Sequence, residues 1–358
     1  MKRTFMVLGL TLICLVLMDV IVAFALGWAE RTGRFGSLVT YFEYGRSVPG
    51  KLARWEDNPD PRGNLYDAAW RETLIEQSHE AFLAEPEEEG PVIRSYGMSF
   101  VNNILRSAVE LRPDLVWDGH SGPGAPPNFT YALFEEDRDN RKAGDVVILG
   151  ILSSAVPAMA ALSNRTWAFE QPAPFTYPVY WPDGEGLVPV EPLINSSEEE
   201  RSLRADPAVA RRWARQLAED DAFYAWPTFG APWLDVSPFA RLVRRSLAIS
   251  DVAKTEADIL SGSPYPYAEV LRRMIRSFSE TARSDGQIPI VFLIQSRDPG
   301  DADLLVALQS VLNEEEILYL ATAMYFDPRD PSGFLPDGHY APGVDRTFAE
   351  AFLEMLER

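Results

Sequence analysis

The sequence predicts an α/β protein with a parallel sheet and, ahead of it, a helix that spans a membrane. Apolar runs of strand length alternate with amphipathic helical stretches, an order typical of a doubly wound sheet. Several runs, such as the one from Asp145 to Leu152, are apolar at almost every position, as expected for strands covered on both faces. The membrane helix is indicated by the apolar segment from Phe5 to Ala29, which only Thr11 and Asp19 interrupt.

This N-terminal segment has about the length needed to cross a hydrocarbon core. Lys2 and Arg3 precede it, so the positive-inside tendency places the N-terminus in the cytoplasm and everything after Glu30 on the outer side. In a bacterium that side is the periplasm. We therefore expect residues 1–29 to anchor a single-pass protein in the inner membrane, with its main domain on the periplasmic side.

Two features of the segment leave alternatives open. Ala23-Phe24-Ala25 has the small-x-small form of a signal-peptide cleavage site, so a cleaved signal peptide is the alternative to an anchor. Asp19 is a carboxylate at membrane depth, which either contacts a partner or is simply protonated.

The composition is that of a globular protein with an acidic surface. The 358 residues include 33 Lys and Arg against 53 Asp and Glu, a net charge of −20, and 46% of the residues are apolar. Such a chain lacks the basic face that phosphate recognition requires, so nucleic acid is not an expected partner. Cys14 is the single cysteine, and no intrachain disulfide can form.

Residues 30–90 are predicted to connect the membrane segment to the main domain. They comprise a mixed stretch over 31–54, a helix over Leu65–Leu83 and an acidic run over 85–90 that is typical of a solvated loop. The main domain follows as residues 91–358. Its predicted elements are strand Pro91–Tyr96, helix Phe100–Leu111, strands Asp114–Asp118 and Asp145–Leu152, helix Pro207–Tyr224, strand Ile288–Ile294, helix Asp301–Leu312 and strand Ile317–Ala321.

A large insertion, about 165–285, separates the third and fourth predicted strands. An insertion of that size is usually functional or a subdomain, and we expect it to form a cap over the active face of the sheet. Its aromatic side chains suit stacking on sugar rings, although such residues more often belong to a core. They include Trp167, Tyr177, Tyr180, Trp181, Trp226 and Trp233.

The polar residues that follow the predicted strands indicate where chemistry takes place. Ser99 follows the first strand, and two of the three histidines occur as Asp-Gly-His, at 118–120 and 337–339. Because ligands gather at the carboxyl ends of parallel strands, these residues are expected to converge there. His339 then takes the proton of Ser99, and Asp337 orients the imidazole. The competing interpretation of Ser99 is an ordinary helix N-cap.

The expected oxyanion donors are backbone N–H groups near that serine. A serine at a strand-to-helix turn offers its own N–H and the positive end of the helix to a developing negative charge. Gly124, on the loop after the neighbouring strand, lets a second N–H approach the same oxygen.

Three blocks of the sequence together resemble the SGNH/GDSL hydrolase superfamily. They are Tyr96-Gly97-Met98-Ser99-Phe100, Gly122-Pro123-Gly124-Ala125, and Pro336-Asp337-Gly338-His339-Tyr340-Ala341-Pro342-Gly343 before a closing amphipathic helix. The resemblance covers roughly Pro91 to Arg358 outside the insertion. It implies a flavodoxin-like three-layer α/β/α core and a cofactor-independent Ser-His-Asp ester hydrolase or, with the same residues, an O-acyltransferase.

The third block of that family normally supplies an asparagine as oxyanion donor, in the form Gly-x-Asn-Asp. This chain reads Gly150-Ile151-Leu152-Ser153-Ser154 instead. A hydroxyl of Ser153 or Ser154 is the expected replacement, and Asn102 or Asn128 are the other candidates. Without a replacement, the protein would be a catalytically inactive glycan-binding scaffold.

The resemblance also implies the partners. The substrate is expected to be an acyl ester of an envelope or extracellular polysaccharide, and proteins of polysaccharide assembly are possible neighbours. A different enzyme class, a Zn²⁺ or Mn²⁺ site built from Asp118, His120, Asp337 and His339, is the alternative that these residue types leave open.

Overall fold

The computed structural model describes residues 2–34, 70–83, 91–168, 170, 172–230 and 232–357. Most of the predicted connector, including the first part of the helix predicted from Leu65, lies outside these residues. The α/β class and the parallel sheet are confirmed. Five parallel strands form the main sheet in the spatial order β2-β1-β3-β6-β7, namely β1 Ile93–Gly97, β2 Trp117–Ser121, β3 Val146–Leu152, β6 Ile288–Ile294 and β7 Leu318–Ala321.

Helices cover both faces of this sheet. On one face lie α3 Ser99–Leu111 and α12 Pro342–Leu356, which pack on each other. The other face is covered by α2 Arg71–Leu83, α4 Pro127–Glu136 and α10 Tyr267–Ser284, with α11 Leu304–Glu314 beside α10. The central strand β3 is buried at all seven positions, which explains its continuous apolar sequence. Because α2 contacts β2 and α4, it belongs to the α/β unit rather than to a separate connector.

The second strand begins three residues later than its sequence predicts. Asp114–Asp118 was expected to be the strand, whereas the ladder pairs Trp117–Ser121 with Ile93–Gly97. The strand was predicted too early because Leu115 and Val116 are apolar, although both lie in the loop before the strand, from which Leu115 packs against the core. His120 therefore lies within β2, opposite Tyr96, and does not follow the strand.

The insertion contains a β-hairpin and a group of helices. The hairpin pairs β4 Val179–Asp183 with β5 Gly186–Val190. The helices are α5 Asn164–Trp167, α6 Ser197–Ala205, α7 Pro207–Asp220, α8 Trp226–Phe229 and α9 Pro238–Leu260. α10, which was counted with the insertion, packs directly on β6 and is part of the layer that covers the sheet. That the insertion caps the active face stays a prediction.

The N-terminal helix α1, Lys2–Thr32, is long and apolar enough to cross a membrane. Its side chains between Arg3 and Met18 are exposed, and its second half lies against α9 of the insertion. The structure therefore places this helix beside the domain without burying it in the core.

A buried cluster of charges joins the first three strands of the sheet. The Arg94 guanidinium on β1 lies between Asp118 of β2 and Asp145, which immediately precedes β3 and is 3.0 Å away. All three side chains are almost completely buried. Asp145 also accepts the backbone N–H groups of Val92 and Lys142. A single cation thus compensates two buried carboxylates, and its removal would leave both uncompensated.

Replacing Arg94 with Met keeps an unbranched apolar stem and removes the charge. We expect Arg94→Met to lower the free energy of unfolding by about 3–5 kcal/mol, because two buried carboxylates lose their partner. The measurement is urea unfolding of the full-length protein in detergent, followed by tryptophan fluorescence. Arg112→Met is the matched control: its partners Asp114 and Glu357 are exposed, so its effect should stay below about 1 kcal/mol. A similar small effect for both variants would contradict the interpretation.

Candidate active site

Ser99 is the first residue of α3, directly after the turn that ends β1. Two glycines bring this helix unusually close to the sheet. A side-chain carbon at Gly97 would come within 2.8 Å of Val101, and one at Gly150 of β3 within 2.5 Å of the same valine. Because no side chain separates α3 from β1 and β3 at this point, the start of the helix is fixed against the sheet edge. The rigid core thereby sets the position of Ser99.

His339 reaches the site from a tight hairpin near the C-terminus. The Leu335 N–H donates to the His339 carbonyl at 2.7 Å, and the Gly338 N–H donates back to the Leu335 carbonyl at 3.0 Å. Gly338 has φ +91°, a conformation that favours glycine and is typical of three-residue hairpin loops. This fold-back brings Asp337 beside His339, so one intervening residue suffices between the carboxylate and the imidazole.

The structure brings Ser99, His339 and Asp337 together as one hydrogen-bonded chain. The Ser99 Oγ lies 2.7 Å from His339 Nε2, and His339 Nδ1 lies 3.2 Å from Asp337 Oδ2. The other oxygen of Asp337 accepts the backbone N–H of His339 at 3.1 Å. With the carboxylate facing Nδ1, the proton of a neutral imidazole belongs on Nδ1 and Nε2 accepts from the serine. This is the arrangement of a nucleophile, a general base and an orienting carboxylate.

The site is open to water on the histidine side. The Asp337 side chain is 64% exposed and that of His339 is 29% exposed. The hydrogen bond from the His339 backbone N–H lowers the pKa of Asp337 below its usual range, and the nearby imidazole adds to the effect. Asp337 is therefore ionised at neutral pH, as its orienting role requires. The Phe100 ring stacks on the His339 ring, with centroids 4.8 Å apart, and limits its rotation.

The expected oxyanion donors differ in whether other hydrogen bonds already engage them. Met98 precedes α3 and gives no side-chain cap to the first-turn N–H groups, among them that of Ser99. Gly124 is exposed, with φ +56°, on a loop that the hydrogen bond from Gly122 N–H to the Gly97 carbonyl ties to the end of β1. Both backbone groups thus lie on segments that adjoin the serine turn.

The hydroxyl of Ser153, by contrast, is already engaged. It accepts the backbone N–H of Ser296 at 2.8 Å and lies 3.0 Å from the Ser296 hydroxyl, joining the ends of β3 and β6. Donation to an oxyanion would require it to turn away from Ser296. Asn128 is fully buried and donates to the Pro178 carbonyl, so it has a structural role. Asn102, one turn after Ser99, donates to Ser121.

The alternative metal site does not form. Asp337 and His339 lie on the exposed hairpin, whereas Asp118 is paired with Arg94 and His120 is fully buried. Across the described ranges, no group of three or more His, Cys, Asp or Glu residues could hold a metal ion. The two Asp-Gly-His sequences therefore have different surroundings, because one lies within a strand and the other forms a surface hairpin.

His120 belongs to the polar cluster beneath α4. Its ring stacks on that of Tyr96, with centroids 5.3 Å apart, and its Nε2 lies 3.3 Å from Asp118 and 3.4 Å from Asp137. The Tyr96 hydroxyl donates to Asp137. This cluster extends the Arg94 ion pairs along β1 and β2, and it indicates a structural role for His120.

The aromatic residues of the insertion divide into buried and exposed groups. Tyr177 and Tyr180 are buried in the core and cannot stack on a sugar ring. Trp181 and Trp226 are exposed. The side chain of Trp233 lies outside the described residues.

An open cavity of about 580 Å³ lies at the ends of β6 and β7. Its lining includes Gln295, Arg297, Asp298, Tyr325 and Arg329. The Tyr340 hydroxyl, next to His339 in sequence, donates to the Gln295 carbonyl and contacts Thr322. Gln295 thus both supports the hairpin through its carbonyl and lines this cavity.

Tyr340 and Asp345 are supporting residues that sequence reasoning missed. Tyr340 is buried, and its ring packs on Phe100 and Phe348, which fixes the residue after His339. Asp345 is buried in the first turn of α12, and burial raises its pKa to about 7, against a smaller opposing effect of Arg106. Tyr340 could have been predicted, because it lies within the closing block of the sequence. Asp345 could not, because it resembles an ordinary acidic residue in the first turn of a helix.

The comparisons with known proteins give no relative for this chain. No protein-family model and no curated protein sequence matches it. The functional argument therefore rests on the site itself.

The raised pKa of Asp345 makes stability depend on pH. Below about pH 4 the Asp345 carboxyl is neutral in both the folded and the unfolded chain. As the pH rises to about 7, this carboxyl ionises freely only in the unfolded chain, which lowers the free energy of unfolding. Asp345→Asn should remove this loss. We expect little difference from wild type at pH 4 and a gain of up to about 4 kcal/mol at pH 8.

Urea unfolding of both proteins at the two pH values measures this difference. Glu350→Gln is the control, because Glu350 is exposed on the same helix and pairs only with Arg346. A gain for Asp345→Asn that is equal at pH 4 and pH 8 would show that ionisation of Asp345 is not its cause.

Proposed function

We propose that the protein is a membrane-anchored serine ester hydrolase of the SGNH type, which cleaves acyl esters through an acyl-enzyme on Ser99. The observation that carries the proposal is the hydrogen bond of 2.7 Å between Ser99 Oγ and His339 Nε2, with Asp337 on the other ring nitrogen. A serine that serves only as a helix N-cap has no need of a histidine on its hydroxyl. Ser99 and His339 are 240 positions apart in the sequence, so local chain geometry does not bring them together.

The geometry supports the following reaction. The Ser99 Oγ attacks the ester carbonyl carbon while its proton passes to His339 Nε2, and Asp337 stabilises the imidazolium. The tetrahedral intermediate then collapses, and His339 returns the proton to the leaving alkoxide oxygen. In the second half, a water molecule gives its proton to His339 and attacks the acyl carbon. The acid is released and Ser99 regains its proton.

The negative oxygen of each intermediate needs hydrogen-bond donors. The N–H of Ser99 at the start of α3 and that of Gly124 are the donors that the proposal assigns, and the positive end of α3 adds to their effect. Ser153 could act as a third donor only after leaving Ser296, a requirement that predicts a slow enzyme. Losing one oxyanion donor costs on the order of a hundredfold in rate.

The topology supports the same assignment. Counting only the five strands of the main sheet, the spatial order is 2-1-3-4-5, which is the flavodoxin-like order. In that order the crevice for a ligand lies where the strand order reverses, between β1 and β3. Ser99 follows β1 at this point. A flavodoxin-like SGNH core is therefore the finer description that we propose for the fold.

The exposure of the triad favours hydrolysis over transfer of the acyl group. Water reaches His339 and Asp337 directly, and an acyltransferase must keep water away from its acyl-enzyme. Lys2 and Arg3, in the first turn of α1, favour an orientation with the domain on the periplasmic side. An acylated envelope polysaccharide is thus the substrate class that we propose.

A fluorophosphonate probe tests whether Ser99 is activated, independently of the substrate. In membranes that contain the full-length protein, we expect covalent labelling of the wild type, none of Ser99→Ala, and a rate about 10³-fold lower for His339→Ala. Ser107→Ala, on the same helix, is the control and should label normally. A folded wild-type protein that is not labelled, or Ser99→Ala that is labelled as fast as wild type, would overturn the proposal.

Gly338→Ala tests the role of the hairpin. Alanine is strained at φ +91°, so the hairpin should shift and move His339 away from the serine. Because a displacement of about 1 Å costs on the order of a hundredfold in rate, we expect labelling to slow by about 10- to 100-fold. Gly184→Ala is the matched control, since Gly184 also has a positive φ, +53°, but lies in the β4–β5 turn. Equal slowing in both variants would argue against a specific role of the hairpin.

A further inference from the structure

The contact between α1 and the insertion is made by a polar residue in the middle of the apolar helix. Asp19 Oδ1 accepts the Ser237 hydroxyl at 2.6 Å and the Phe239 backbone N–H at 2.9 Å. It thereby caps the start of α9. From Asp19, the less exposed positions of α1 continue as Val22, Leu26 and Ala29, one helical stripe toward its C-terminal end. α9 therefore runs beside the second half of α1, in the same direction.

The positions of the exposed charges on α1 and α9 show how far into the membrane α9 begins. The first exposed charge of α1 beyond Asp19 is Glu30, eleven residues on and about 16 Å higher along the helix axis. The first exposed charge of α9 beyond Phe239 is Asp251, twelve residues on and about 18 Å higher. The parts of the two helices that carry no exposed charge thus end at nearly the same height.

The surface of the insertion between these two levels carries no exposed charge. We call residues 226–250 the foot. Between positions 222 and 250, the described side chains that are exposed are apolar residues or serines: Ala222, Trp226, Val236, Val243, Ser246, Leu247, Ile249 and Ser250. In a chain with 24% charged residues, the absence of any exposed charge among the described side chains of 222–250 requires a physical cause.

None of the charged residues within the foot is fully exposed. Asp235 and Arg244 are buried and form an ion pair, Arg244 also donates to the carbonyls of Thr228 and Gly230, and Arg241 is half-buried. Arg245 pairs with Glu170 at 2.5 Å. Compensation of this kind suits an apolar surrounding, in which an isolated charge is very costly.

We infer that the foot is embedded in the outer-leaflet hydrocarbon of the bilayer beside α1, so that the protein contacts the membrane through two elements. The inference rests on the anchoring by α1 in the proposed function. The occupant of the apolar surface is lipid rather than another protein, because the foot lies beside the apolar helix α1 and the exposed, described side chains of both at this depth are apolar or serine. A protein interface would be one patch with a polar rim. The foot fixes the height and tilt of the catalytic domain, which a single helix on a connector would leave free.

Site-directed spin labelling of the full-length protein tests the inference. In a Cys14→Ser background, single cysteines replace Val243 and Leu247 of the foot, and Glu354 on α12 provides the aqueous control. The wild-type protein, labelled at its own Cys14, provides the control for the membrane interior. Each is reconstituted in phosphatidylcholine vesicles, and collisions with molecular oxygen, which concentrates in lipid, are compared with those of a water-soluble nickel chelate.

Four results are distinguishable. The expected result is loss of nickel-chelate accessibility at 243 and 247, with oxygen accessibility close to that at Cys14. Nickel accessibility at 243 and 247 equal to that at 354, while Cys14 is in lipid, would overturn the inference that the foot is embedded. It would leave the anchoring by α1 intact. Low accessibility to both reagents at 243 and 247 would show that protein covers the foot, and would also overturn the inference. Nickel accessibility at Cys14 would overturn the anchor and the foot together.

Discussion

The close approach of α3 to the sheet is the constraint on which the site depends. Gly97 and Gly150 stand side by side on β1 and β3, and Val101 fills the space that their missing side chains leave. Any larger residue at either position would lift the start of α3 and move Ser99 with it. Ser99 therefore takes its position from the most deeply buried part of the fold. The buried charges around Arg94 join the same strands at their other end.

The histidine and the carboxylate depend on a different kind of support. Their hairpin lies on the surface, and Tyr340 connects it to the core through Thr322, the Gln295 carbonyl and the rings of Phe100 and Phe348. Tyr340 thus holds the neighbouring His339 in a fixed position relative to β6, β7 and α3. Asp337 adds no buried contact, and its role depends on the turn geometry of Gly338.

Periodicity predicted most of the fold because β3 and β6 are apolar at almost every position. β6 was predicted at its exact bounds, and β1, β3 and β7 within two residues. β2 failed because its inward residues are Asp118 and His120, which a hydrophobic pattern does not count as core. Strand-end logic and the closing block predicted that Ser99, Asp337 and His339 converge, and the three side chains do lie together. Their catalytic role stays a prediction. The engagement of Ser153 with Ser296 could not be predicted, since it depends on the spacing of β3 and β6 across the sheet.

Ser99 and the hairpin that carries His339 differ in how much of the fold must open to displace them. Displacing Ser99 requires opening the core of the sheet, whereas the hairpin at 335–339 is closed by two backbone hydrogen bonds and the Tyr340 contacts. Segments with few buried contacts open locally at much lower free energy than the whole domain. Heat inactivation would then be reversible and would precede loss of secondary structure. A protease that cuts the open hairpin would remove His339 from Ser99 while leaving the sheet folded.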